Sequence, residues 1–544
     1  MDRTDVKSGV ASVVYYPHVG TRTWIQWVRD QSMFIFVVCV ATAFAISLVF
    51  YLQSRLSSIE TTPIVLAFVF FKAAVEVWCS LYAGYFIFIS FYYLATVGKN
   101  NSASKVASPN SDCPSLAIVY LCCDDIDQDC LESLCRTKTQ DRLKIIVHDD
   151  SGDSDEQKKV DSIVTDLSER YELDMVVLRR GNREGGKPGA LNYVLRNIPE
   201  SFEWMLICDN DSMAMDPAWY MKVSPDLRDS ALACVQFRNV GSTQKSLSGI
   251  HKKLHNSIDV FEVFVSPAER YGWLPFFGHN GILKINAVRE VGGFQPGEFA
   301  DDIDMSVRLN LAGYQIRYRK DITFSEAHPD NYRAFRARSY KWAYGCASVL
   351  RRWTLPILTS NILKLRQKFF FFIFIGFYYT QIVLLAYLSV AYILLPLLIP
   401  EYGFSPIFTV LGGSLVIVLM FLPTLAYFLG NDMLLRWPGF AVTVGLVYGS
   451  IDFVSARALL ACAFKRKRTW VPTNTVRSGG SLHLTSYLES LMGFCILAIP
   501  FMRLPHLLYL PCTYLFALKF IAIPALHLVY RKEEPLLTNS QKIG

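Results

Sequence analysis

Two apolar runs near the start of the chain, and several more after residue 368, constrain its fold more than any other feature. Ser32 to Tyr51 and Pro63 to Tyr93 are each long enough to cross a bilayer core, which asks for about 20 apolar residues per helix. Phe369 to Ile399, Pro406 to Leu429, Leu482 to Phe501 and Leu507 to Tyr530 repeat the pattern. Gly439 to Phe464 is equally apolar, but it holds Asp452 and Arg457 and runs into Lys465-Arg466-Lys467-Arg468. A crossing there would carry the basic cluster outside, against the cytosolic bias of lysine and arginine, so this run is expected at the interface. That leaves about six spans, with both termini and the intervening segment on the cytosolic side.

Composition agrees with a mixed membrane and soluble chain: 52% of the 544 residues are hydrophobic and 14% aromatic. The net charge of +7 sits largely in short basic clusters beside apolar runs, which suits anionic lipid headgroups. No basic and aromatic module stands out, so no nucleic-acid partner is expected. The thirteen cysteines show no metal-type spacing, and reduced thiols are the default for a cytosolic segment. Lys72 and Glu76, four apart in the second run, read as an ion pair between helices or as a polar lining.

Between the apolar runs the pattern changes to strands alternating with helices, which implies a mainly parallel sheet. Leu116 to Cys123, Leu143 to Val147, Met175 to Leu178, the run from Met205 and Ala231 to Phe237 are the strands. The domains are therefore 1–97 (N-terminal segment and two spans), 98–335 (cytosolic α/β domain), 336–366 (interfacial helices) and 367–544 (further spans).

The chemistry gathers at strand ends. Met205-Leu-Ile-Cys-Asp209-Asn-Asp211 reads as a buried strand ending in two carboxylates, where ligands sit in open α/β sheets. Mg2+ or Mn2+ takes hard oxygen ligands of this kind together with phosphate oxygens. Gly185-Gly186-Lys187-Pro188-Gly189 opens a helix, a place to receive phosphate, and Lys187 adds a positive charge. His148-Asp149-Asp150-Ser151 follows the second strand. Ala300-Asp301-Asp302-Ile303-Asp304 begins an amphipathic helix; helix-dipole capping explains one of its carboxylates but not three. Arg338-Ser-Tyr-Lys341-Trp342 is basic and aromatic, as in a helix at the membrane interface.

Taken in order, these segments resemble the inverting family-2 glycosyltransferases of the membrane polysaccharide synthase type: the cellulose, chitin and hyaluronan synthases. The resemblance covers roughly residues 112 to 480. It implies an α/β nucleotide-sugar-binding, GT-A-like cytosolic domain inserted in a helical transmembrane bundle with interfacial helices. It implies that Asp149 and Asp150 hold the uridine and ribose of a UDP-sugar, with Lys187 nearby. Asp209 and Asp211 match the Asp-x-Asp that coordinates metal and diphosphate, and Asp302 matches the general base beside Asp301. Arg338, Lys341 and Trp342 match the Gln-x-x-Arg-Trp motif, and Phe276, Phe277, Gly278, His279 and Asn280 look like the acceptor-side loop. Trp470 and Thr473 resemble the gating segment over bound nucleotide, within 465–481.

The chain departs from the family's pattern in three of these motifs. Thr-Glu-Asp is Ala300-Asp301-Asp302, the Arg of Gln-x-x-Arg-Trp is Lys341, and no basic residue follows Thr473 directly. The resemblance further implies Mg2+ or Mn2+ as cofactor and transfer from a UDP-sugar to a growing β-linked polysaccharide, coupled to export through the plasma or inner membrane. Tyr378, Tyr379 and Tyr387 are candidate linings of the exit path. The acceptor is a glycan, or a membrane lipid if the enzyme is a non-processive transferase of one sugar. A non-enzymatic nucleotide-sensing transporter or receptor is a further alternative. An accessory subunit or a homo-oligomer is compatible with all of these.

Overall fold

Short runs rich in Val, Ile and Leu pair into one eight-stranded sheet in the computed structural model, which describes residues 31–56, 63–97, 114–138, 143–241, 249–268, 273–398, 421–465, 484–503 and 511–530. The strands are β1 Leu116–Cys122, β2 Leu143–Asp149, β3 Asp174–Leu178, β4 Trp204–Cys208, β5 Met213–Ala214, β6 Leu232–Gly241, β7 Gly281–Lys284 and β8 Gln315–Glu326. Their order is β3-β2-β1-β4-β7-β6-β8-β5. Strands β3, β2, β1 and β4 run parallel, with helices between them in the chain: Gln128–Cys135, Ser154–Tyr171 and Gly186–Asn197. All five residues of β4 are buried, as a strand covered on both faces requires.

The sheet is mainly parallel, as the alternation of strands and helices implied, with β6 and β8 also paired in parallel, but two strands run against the rest. β7 lies antiparallel to both β4 and β6, and β5 pairs antiparallel with β8. β7 directly follows the extended Trp273–Phe277 stretch and the bends at Gly278–Asn280, with no crossover helix to return it parallel to its neighbour. β5 and β8 carried no apolar run distinctive enough to be read from sequence; β8 is rich in Arg, Lys and Asp. Because β1 to β4 run the same way, the polar residues that follow β1, β2, β3 and β4 fall along one edge of the sheet.

Among the described residues, five helices are long and apolar enough to cross a membrane: Ser32–Phe50, Ala73–Thr96, Leu365–Leu394, Leu434–Ala463 and Thr485–Met502. Leu434–Ala463 contains the run expected at the interface. It is broken at Ser450 and Ile451 into the helices Trp437–Gly449 and Asp452–Ala463. The charge of Asp452, which had counted against burial in an apolar setting, is met by the buried Lys519. Most of Pro406 to Leu429 lies outside the described residues, and Leu507 to Tyr530 forms two short helices, Pro511–Ile521 and Ile523–Val529. The Lys72 side chain, Trp470 and Thr473 also lie outside the described residues. The helix Tyr332–Thr359 leaves β8 and packs against Asp452–Ala463 and Leu365–Ser389, joining the sheet to the apolar helices.

Candidate active site

Parallel strand ends create a carboxylate and guanidinium ladder. Asp149 and Asp150 leave β2 beside Arg179 and Arg180, which leave the neighbouring β3 in matching register. Arg180 grips Asp150 with two nitrogens, at 2.9 and 2.6 Å. This bidentate pair lines a cavity of about 1510 Å³. Asp149 does not. It is buried off the cavity, with one oxygen on Arg179 Nε at 2.7 Å and the other on the Ser151 N–H at 2.8 Å.

Next along the edge, Gly185 and Gly186 adopt positive φ of 76° and 59°, conformations that favour glycine, and start the helix that presents Lys187. Lys187 Nζ reaches Asp209 Oδ1 at 2.6 Å. Burial disfavours the ammonium, but Asp209, Asp301 and Asp302 outweigh it and hold its pKa above the ordinary lysine value. Burial likewise works against ionised Asp209, yet Lys187 and His279 keep its pKa below the usual carboxylate range. Asp211 lacks the Lys187 contact, and His279 only partly offsets its burial. Burial, reinforced by Asp209 and Glu326, pushes it up to about 6, although its Oδ2 accepts the Ala327 N–H at 3.0 Å.

The helix Asp301–Leu311 begins opposite. Asp304, fully buried, is structural: it accepts from Arg308 Nε and Trp353 Nε1, both at 2.8 Å. Asp301 and Asp302 face the cavity. Burial and then the Asp302 charge raise Asp301 to about 7; burial raises Asp302 too. Gly278, with φ of 85°, lets the loop pass over Asp302, where an added Cβ would stand 3.3 Å from Oδ2. Phe277, Gly278 and His279 line the cavity. Phe276 and Asn280 do not: both are fully buried, Phe276 in the apolar core and Asn280 with its N–H on Ile207 O at 2.7 Å.

Arg338, Lys341 and Trp342 close the site from the helix Tyr332–Thr359. The Arg338 guanidinium lies 4.6 Å from the Trp342 ring centroid, a cation–π contact. Burial, with Arg338 and Lys187 nearby, lowers Lys341 to about 8. Beyond Trp342 the same cavity continues between apolar helices to Tyr82, Tyr378, Gln381, Asp452 and Lys519. Tyr379 and Tyr387 are not among its lining residues.

Sequence reasoning missed Arg179, Arg180 and Glu326. The first two carried a readable signal: two basic residues after β3, in register with two acidic residues after β2. Glu326 left none, because β8 was not recognised; it accepts from Asn239 Nδ2 at 2.8 Å and stands 3.6 Å from His279 Nε2.

By their chemistry, the carboxylates of Asp209 and Asp211 are of the kind a hard divalent cation takes. Asp209, Asp211 and Glu326 bring three carboxylates to a buried place that Lys187 alone does not neutralise. Among the described residues no group of three or more His, Cys, Asp and Glu side chains is placed to hold a metal ion by itself. A cation here would complete its shell from substrate phosphates and water, as Mg2+ commonly does.

Residues 204–431, which carry Asp209, Asp302 and Trp342, match the family described as Glycosyl transferase family group 2. The chain is thus similar to glycosyltransferases of family group 2 and to plant glucomannan mannosyltransferases. It is 27% identical over 241 residues to probable glucomannan 4-beta-mannosyltransferase 15 of Arabidopsis thaliana, covering 43% of this chain and 44% of that one. It is 28% identical over 275 residues to glucomannan 4-beta-mannosyltransferase 2 of the same plant, covering 48% and 49%. The chain thus spans about half the length of the curated relatives it matches. Among solved structures, the mannosyltransferase PcManGT from Pyrobaculum calidifontis, in complex with GDP-Man and Mn2+, superposes with a TM-score of 0.48. Identity there is 16%, over 72% of this chain and 99% of that one.

Proposed function

We propose that this chain transfers a hexosyl group from a nucleotide diphosphate sugar to the end of a growing β-linked polysaccharide, with inversion, and passes the product into the membrane. The observation that carries this reading is the single cavity running from Asp150 and Asp209, past Asp302 and Trp342, to the apolar helices at Tyr378 and Tyr82. A transferase of one sugar to a lipid needs only the first half of that path.

In this mechanism Asp150 and Arg180 bind the nucleoside, and Lys187, Arg338 and Lys341 surround the diphosphate. Trp342 offers a ring face to the acceptor sugar. Asp302 takes the proton of the attacking acceptor hydroxyl as that oxygen bonds to the anomeric carbon. The bond from that carbon to the phosphate oxygen breaks, and the nucleoside diphosphate leaves with its electron pair, its charge met by the three cations. Asp209 and Asp211 would hold Mg2+ or Mn2+, which supplies further charge neutralisation to the diphosphate when bound. One displacement converts an α-linked donor into a β linkage.

The names of the curated relatives bring mannose forward as the sugar, while the sequence motifs resemble those of UDP-sugar enzymes. The test therefore screens UDP-hexoses and GDP-mannose in parallel on the purified full chain with Mn2+ or Mg2+ and sizes the products. A long polymer from one donor is the expected result. A short product that partitions into organic solvent would replace the polymer reading with the lipid one. Absence of turnover with every donor and primer would overturn both.

A further inference from the structure

The five residues between β8 and the helix Tyr332–Thr359 touch both ends of the chemistry. Ala327 donates its N–H to Asp211 Oδ2 at 3.0 Å, and the helix that follows carries Arg338. This link is held from the membrane side. His328, 2% exposed, has Nδ1 at 2.6 Å from the Tyr530 hydroxyl and Nε2 at 3.3 Å from the Tyr448 hydroxyl. The ring also stacks on Phe335, with centroids 5.4 Å apart. Tyr530 is fully buried just after the helix Ile523–Val529; its hydroxyl donates to Pro329 O, and its carbonyl accepts the Tyr332 N–H at 3.1 Å.

The proton inventory fixes the direction of these bonds. The Tyr530 hydroxyl spends its only hydrogen on Pro329, so its oxygen accepts from His328 Nδ1–H. Nε2, on the other side of the ring, is engaged by the Tyr448 hydroxyl, which also meets Ser257 Oγ at 3.1 Å. An imidazole with both nitrogens engaged and one face on Phe335 has one orientation, and the Ala327 peptide directly precedes it.

We infer that His328 is a positioning residue: held by Tyr530 and Tyr448, it fixes the Ala327 N–H against Asp211 and thereby ties the cation and diphosphate end of the site to the segment that follows the helix Ile523–Val529. This rests on the glycosyltransfer reading for its kinetic consequence, but the tie itself does not.

The test uses the full-length protein in nanodiscs and the variants His328→Phe, Tyr530→Phe and His328→Asn. Hydrogen exchange of the peptide containing Ala327 is expected to accelerate in the two Phe variants and to stay near the parent rate in His328→Asn, whose amide N–H replaces Nδ1–H. The Mn2+ concentration for half-maximal donor turnover is expected to rise about 10-fold in the Phe variants, the scale of an outer-shell loss. The donor KM at saturating Mn2+ should change less. Should His328→Phe fail to fold, Tyr530→Phe, which keeps its ring, carries both measurements. Unchanged exchange at Ala327 overturns the tie whatever the activity. Faster exchange with an unchanged Mn2+ requirement overturns the positioning role. Faster exchange in a chain whose parent turns over no donor upholds the tie and removes the glycosyltransfer reading.

Discussion

Lys187 Nζ and Asp209 Oδ1 stand 2.6 Å apart, joining the glycine-rich turn to the end of β4. The same ammonium feels Asp301 and Asp302 on the opposite helix. Lys187 is therefore the cation through which the diphosphate end and the base end of the site sense each other. Its replacement by Met should lower kcat/KM for the sugar donor by about 10²-fold, the scale of losing one well-placed charge-stabilising group. Nucleotide release measured against donor concentration checks this. Activity near the parent level in Lys187→Met would remove the lysine from the mechanism.

Asp302→Asn should abolish transfer while metal-dependent binding of the nucleoside diphosphate stays near the parent value. The substitution keeps the shape and removes the group that takes the acceptor's proton. Asp211→Ala should do the reverse and lose metal-dependent nucleotide binding. Calorimetric titration of both variants, beside turnover, separates the two roles. Normal turnover in Asp302→Asn would end the base assignment.

The pH profile should be bell-shaped. A base works only after losing its proton, so kcat/KM should rise as pH passes through the range of the Asp301–Asp302 pair, whose first member lies at about 7. A cation beside the leaving diphosphate works only while protonated, so activity should fall as pH passes about 8, where Lys341 loses its charge. The optimum falls between the two. Lys341→Arg, which stays charged, should extend the alkaline limb without moving the acid one. A profile in which this variant leaves the alkaline limb in place would clear Lys341 of responsibility for it.

How far the sequence could be read depended on pattern length. β1, β2 and β4 are apolar runs bounded by turns, and their ends and carboxylates were legible. β8 is a strand of alternating cations and apolar residues at the sheet's far side, and β5 has two residues, so neither announced itself. Motif spacing located Asp209, Asp302 and Trp342 but not which carboxylate of each pair faces inward. Asp149 and Asp304 are turned away by Arg179 and Arg308, partners far off in sequence or on another face of the helix. Asp452 looked unaffordable in a span because its partner, Lys519, is 67 residues away.

The contrast between Asp149 and Asp150 yields the last prediction. Both carboxylates follow β2, and both meet an arginine from β3. Asp149 is buried off the cavity, so its loss strands the Ser151 N–H and the Arg179 Nε without touching a ligand. Asp149→Ala should cost about 2 kcal/mol of stability, the scale of a lost bond to a charged group, and leave the donor KM near the parent value. Asp150 lines the cavity, and its partner Arg180 is held by the Glu184 and Gly186 carbonyls as well, at 2.7 and 3.0 Å. Asp150→Ala should therefore change stability little and raise the donor KM by about 10-fold, one lost charge-assisted contact. Thermal denaturation and donor kinetics on the two variants read the two effects separately. If Asp150→Ala lowers Tm and leaves KM alone, the ladder is structural throughout, and the nucleoside must be recognised elsewhere in the cavity.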